Sequence, residues 1–215
     1  MKSSMAKARS GKAHGLPPAE PVRVIACGML AREILAIRSQ LGLDHLDLVC
    51  LPAQFHFEPD RIVPAMEKAI AEARTQGFRR IFAGYGDCGT GGRLDALLQR
   101  LGVERIEGPH CFAFYQGMDR FRRAAEADFT AFYMTDFLCR HFDSFFLEPL
   151  GLDRHPELAA DYFAHYTRLV YLAQTDDPAL DEVARNAAAM LGLAFERRAT
   201  GYGDLAVALQ GAAAA

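Results

Sequence analysis

Apolar residues along the chain follow two alternating rhythms. Short runs rich in β-branched residues are followed by stretches whose apolar positions recur every three to four residues, the pattern of strand followed by amphipathic helix. Val22 to Ala26 reads as the first strand and ends in Cys27-Gly28. Leu30, Ile34, Leu35 and Ile37 mark a helix that runs to Gln40, with Gly42 as its stop. Leu46 to Leu51 is a second strand, followed by a loop that carries His56. Pro59-Asp60 opens a helix to about Thr75. Ile81 to Ala83 is a third strand, and it breaks into a turn crowded with Gly84, Gly86, Gly89, Gly91 and Gly92. Leu94, Leu97, Leu98 and Leu101 then share one helical face. Val103 to Ile106 forms a short fourth strand, left through Gly108-Pro109-His110-Cys111 into a helix with Phe112, Tyr115 and Phe121. Pro109 suits the first turn of that helix.

The second half repeats the alternation. Phe132–Thr135, Leu169–Ala173 and Leu193–Ala199 read as strands. Asp136–Phe146, Pro156–Tyr166, Pro178–Leu191 and Tyr202–Leu209 read as helices. Strand and helix in alternation imply parallel pairing with right-handed crossovers. The fold class is α/β, Rossmann-like and doubly wound, as two lobes around a cleft or one continuous sheet. The lobes divide into 21–125 and 126–210, after a disordered basic arm at 1–20 and before an alanine-rich tail at 211–215.

Composition narrows the field. The 215 residues are 51% hydrophobic and carry a formal charge of −3, so no basic field favours nucleic acid. No apolar run approaches bilayer length, and the basic N-terminus lacks the apolar core of a secretory signal. A cytoplasmic protein without membrane contact is expected. Five cysteines, with no CxxC among them, read as free thiols or metal ligands.

Each of the four early strands exits into a loop with a Cys or His. Cys27, Cys88 and Cys111 stand at strand ends, which line one edge of a parallel sheet. Thiolates are soft ligands that select zinc or iron–sulfur clusters. Three of them with an open position describe a zinc site or a four-iron cluster (4Fe-4S). The bland alternative is three small buried hydrophobes. His56 is a fourth ligand or an acid/base. Tyr85 is a proton donor or packing, and Glu33 a carboxylate behind Cys27 or part of a solvated face. Successive glycine N–H groups at a helix start make an anion cradle, or a simple turn. The cradle reading uses Gly86, Gly89, Thr90, Gly91, Gly92 and Arg93. Asp87 reads as a turn former. Cys50 and Cys139 read as core, and Thr135, Tyr202, Gly203 and Asp204 as cleft positions. The aromatic stretch 129–146 suits a core or the interface of a homo-oligomer.

Cys27-Gly28, Tyr85-Gly86-x-Cys88-Gly89 and His110-Cys111, in that order, resemble a prokaryotic family known only as domain of unknown function 1638. The resemblance spans roughly residues 22 to 210 and implies no activity. The leading expectation is a metal-dependent lyase, hydrolase or group transferase acting on a small anionic metabolite. One rival is a metal-free enzyme whose nucleophile is the Cys88 thiolate, activated by a helix N-terminus and by His56 or His110. The other is an anion-binding protein without turnover.

Overall fold

A computed structural model describes residues 20–214. The basic arm expected at the N-terminus lies outside them, apart from Glu20. Four strands, β1 (Val22–Cys27), β2 (Leu46–Leu51), β3 (Arg80–Gly84) and β4 (Glu104–Arg105), form one parallel sheet in the order β2-β1-β3-β4. Three more, β5 (Ala131–Thr135), β6 (Arg168–Ala173) and β7 (Ala194–Ala199), form a second parallel sheet in sequential order. The protein is thus a Rossmann-like α/β fold with two sheets.

Crossover helices follow the expected rhythm. They are α1 (Ala31–Gln40), α2 (Ile62–Thr75), α3 (Arg93–Leu101), α4 (Cys111–Gln116) and α5 (Met118–Ala124) in the first half. In the second half come α6 (Asp136–Arg140), the short α7 (Glu148–Leu150) and α8 (Ala159–Tyr162), then α9 (Pro178–Met190) and α10 (Gly203–Ala214). β1 lies inside its sheet with Val22 through Ala26 buried, so apolar Val22, Val24, Ile25 and Ala26 fill it and the one charged residue, Arg23, pairs with Asp47 at 2.8 Å. β2 is an edge strand, and this exposes Cys50, which the sequence placed in the core. Cys139 is buried as expected.

Several boundaries differ. The helix expected over Asp136–Phe146 stops at Arg140, and a π-helical turn occupies Asp143–Leu147. The Pro156–Tyr166 stretch holds only a 3₁₀ turn and the four-residue α8. Of the segment read as a tail, residues 211–214 are the end of α10, whose Ala212 and Ala213 pack on the core, and residue 215 lies outside the described residues.

α10 packs across both halves of the chain. It follows β7 in sequence, yet Leu205 and Leu209 bury with Val22, Val24 and Phe114 of the first half and Val170 and Leu172 of β6. The last helix therefore fastens the two halves. Cys27 packs against all three hydrophobic clusters of the molecule, which places the end of β1 where the halves meet.

Candidate functional site: a thiol-lined cavity at the strand ends

The strand order positions the site. After β1 the chain crosses to β2 on one side; after β3 it crosses to β4 on the other. The carboxyl ends of β1 and β3 therefore flank a topological switch point, where divergent loops leave a crevice. Cys27 ends β1, and Cys88 follows β3 within the next loop. A cavity of about 330 Å³ opens there. It is lined by Cys27, Cys88, Cys111, His56, His110 and Tyr85, with apolar walls that include Met29, Leu30, Ile62 and Phe114.

Backbone hydrogen bonds join the two loops that carry Cys88 and Cys111. Asp87 N donates to Gly108 O at 3.1 Å, and Cys88 N donates to Pro109 O at 2.7 Å. Gly86 makes this approach possible: a Cβ there would lie 2.9 Å from the His110 backbone N and Cα. Cys88 itself sits at φ +47°, and among the described residues no other non-glycine has positive φ. A side chain in that region carries a strain of about 1–3 kcal/mol, which clusters at functional positions. Turn formation alone is better served by Gly or Asn.

Burial raises the pKa of all three thiols. Cys88 is pushed up to about 12, by desolvation first and by the neighbouring Cys27 second. Cys27 and Cys111 rise for the same leading reason. Desolvation lowers the pKa of His110 and of His56 at the cavity rim, which keeps both imidazoles neutral. The sign of the linkage follows. Thiols that hold their protons above the ordinary value stabilise the fold fully below about pH 9. That stability is lost as pH rises from there towards the Cys88 value of about 12. In metal-free protein, iodoacetamide at pH 8 is expected to label exposed Cys50 first and Cys27, Cys88 and Cys111 slowly, with peptide mapping over time as the check.

The glycine loop is arranged differently from the open anion cradle expected. Asp87 fills it with its own carboxylate. Its Oδ1 accepts from Thr90 Oγ1 at 2.8 Å and from Gly92 N at 2.7 Å, and its Oδ2 accepts from Gly91 N at 3.1 Å. These bonds hold the Asp87 carboxyl below its usual pKa, Gly92 foremost. Arg93 turns away to Asp60 at 2.5 Å and to Thr90 O at 2.8 Å. Only Gly86 and Gly89 of the proposed cradle line the cavity. Among the described residues no Lys or Arg lines it either.

Glu33 is outside the cavity lining and is buried rather than solvated. It lies 3.6 Å from Arg140 Nη1, and desolvation raises its pKa. Arg140 also contacts Asp136, a fully buried carboxylate that the sequence reading passed over. Asp136 accepts from Tyr171 Oη at 2.7 Å, Gln174 N at 3.0 Å and Thr175 Oγ1 at 2.5 Å. Thr135 caps α6 instead of facing the cleft, its Oγ1 accepting from Leu138 N at 3.4 Å. A Thr-Asp pair at a strand end was the available signal. Asp204 caps the start of α5, with Met118 N donating to Oδ2 at 2.7 Å. The 129–146 aromatics divide between core and rim. Phe146 is buried, while Phe129 is 87% exposed.

Fold and site together define a two-sheet, Rossmann-like α/β protein with a cysteine- and histidine-lined apolar cavity at its switch point. Residues 50–209 match the family model described as protein of unknown function (DUF1638), and the chain belongs to that family. The match covers Cys88 and Cys111 and stops short of Cys27, so it is narrower than the span read from the motifs. No curated protein and no solved structure matches the chain. No helix among the described residues is long and apolar enough to cross a membrane.

Proposed function

We propose that the cavity is the active site of an enzyme that uses a thiophilic metal, zinc or an iron–sulfur cluster, held by Cys27, Cys88 and Cys111. The observation that carries this reading is the meeting of three thiols, from three separate loops, on one apolar cavity at the switch point. The strained backbone of Cys88 supports it. So does the donor set. Soft sulfur beside neutral imidazole suits zinc or a cluster, and neither suits magnesium or calcium.

As the side chains stand, no group of three or more His, Cys, Asp or Glu among the described residues is arranged to hold a metal ion. All three cysteines nonetheless line the same cavity, and holding a metal between them would require their side chains to rearrange. A tetrahedral zinc with bonds of about 2.3 Å gathers its sulfurs more closely than a cluster does. Three thiolates in an apolar wall repel one another, and a cation supplies the compensating charge, releasing their protons as it binds. Bound there, the metal would supply Lewis acidity or an open coordination position. His56, at the rim and neutral, moves protons between the cavity and solvent. The apolar walls exclude water from the reacting groups. Lyase, hydrolase and group-transfer chemistry all fit this equipment.

Cys88 as a metal-free nucleophile, activated by a helix N-terminus and by His56 or His110, fits less well. Such a thiol needs a depressed pKa, and burial moves this one to about 12. Anaerobic purification followed by metal and acid-labile sulfide analysis tests the proposal. Stoichiometric zinc, or iron with sulfide, is the expected result. Protein that retains no metal after reconstitution under reducing conditions would overturn it.

A further inference from the structure

We propose that the cavity takes a small uncharged molecule bearing an amide or hydroxyl group, held between the Tyr85 hydroxyl and His110 Nδ1. The inference rests on the cavity being the functional site and is independent of which metal the thiols hold.

Tyr85 is 2% exposed and lines the cavity at the end of β3. Its hydroxyl has no hydrogen-bond partner among the described residues. The thiol of Cys27 is its polar neighbour, and a thiol is only a weak acceptor. His110 Nδ1 is likewise buried and without a partner among them. The His110 ring is fixed edge-on between Phe112 and Phe121, at centroid distances of 5.2 and 5.3 Å. Buried polar groups in native folds are normally paired, because leaving water without a replacement partner is unfavourable. Two such groups on one cavity indicate that the partner is a ligand.

The ligand's charge follows from what surrounds these groups. The glycine N–H groups nearby are engaged by Asp87. Arg105 is chelated by Asp95 at 2.5 and 3.0 Å. In the metal-free cavity, a carboxylate or phosphate would enter an apolar space beside three thiols with nothing to offset its charge. An amide is satisfied there: its carbonyl accepts from Tyr85, and its NH₂ meets Nδ1 of the Nε2-protonated ring. Its hydrocarbon part packs on Met29, Leu30, Ile62 and Phe114.

The test is a chemical-shift titration of ¹⁵N-labelled, metal-free full chain with isobutyramide and, separately, with isobutyrate, which has nearly the same shape and a charge. The amide is expected to perturb cavity residues and to bind more tightly than the acid by about tenfold or more. Tyr85→Phe and His110→Gln, each checked for native fold by circular dichroism, should weaken the amide by about fivefold or more. Equal or tighter binding of isobutyrate, no response of cavity residues to the amide, or unchanged affinity in both variants would each overturn the proposal. A parallel sample is assayed for zinc uptake and for anaerobic reconstitution with iron and sulfide. Failure to take up metal with amide binding intact sinks the metal reading alone, and metal uptake without amide binding sinks this one alone.

Discussion

Serine at position 27, 88 or 111 is expected to strip the proposed metal from the protein, each single substitution lowering retention by more than about tenfold, while Cys50→Ser and Cys139→Ser leave it unchanged. A hydroxyl replaces a soft thiolate by a ligand that stays protonated and binds zinc or iron poorly. The three positions line one cavity. Cys50 is exposed on the edge strand and Cys139 is buried away from the cavity lining, so both serve as internal controls. Metal content of the anaerobically purified variants is the measurement. The same chemistry fixes a pH dependence. Burial raises all three thiol pKa values, so a cation must displace tightly held protons, and retention falls as pH falls. Retention that is indifferent to all three serines would mean that the cysteines do not hold the metal.

Gly203→Ala unfolds the protein at much lower denaturant, with an expected loss of about 2–5 kcal/mol, overpacking against backbone adding to the cost of a left-handed alanine. Gly203 starts α10 with φ +50°. A Cβ there would stand 2.4 Å from the carbonyl oxygens of both Phe114 and Tyr115. Those are backbone atoms of α4, so no side chain can swing aside. α10 would have to lift, and Leu205 and Leu209 would leave the cluster they share with both halves. Gly211→Ala is the matched control in the same helix. A Cβ at Gly211 meets nothing within 4 Å, so alanine there should gain up to about 1 kcal/mol through helix propensity. Urea unfolding of the two variants beside wild type decides the matter, and equal midpoints for both would refute the steric account.

Local periodicity made the first half legible. Strand β2 appears where the run of apolar residues placed it, and α1, α2 and α3 end at their glycines or just before them. The candidate cysteines were legible because strand-exit loops of a parallel sheet share one edge whatever the side chains. The state of the glycine loop was not legible. GYGDCGTGG has the composition of an anion cradle and equally of a simple turn formed by Asp87, and only the folded loop shows that the Asp87 carboxylate takes the glycine N–H groups. Nor did spacing along the chain show that Asp136 would be fully buried, since its partners Tyr171, Gln174 and Thr175 arrive from the next strand and its exit loop.

The chain by itself determined the α/β alternation and the placing of Cys27, Cys88 and Cys111 at or beyond strand ends, because both follow from periodicity and short-range turn chemistry. Tertiary structure alone decided which of those loops touch, which polar groups are left without partners, and that α10 returns to bind the two halves together. Those outcomes depend on strand order and close packing between segments distant in sequence, where a single Cβ at Gly86 or Gly203 would change what fits.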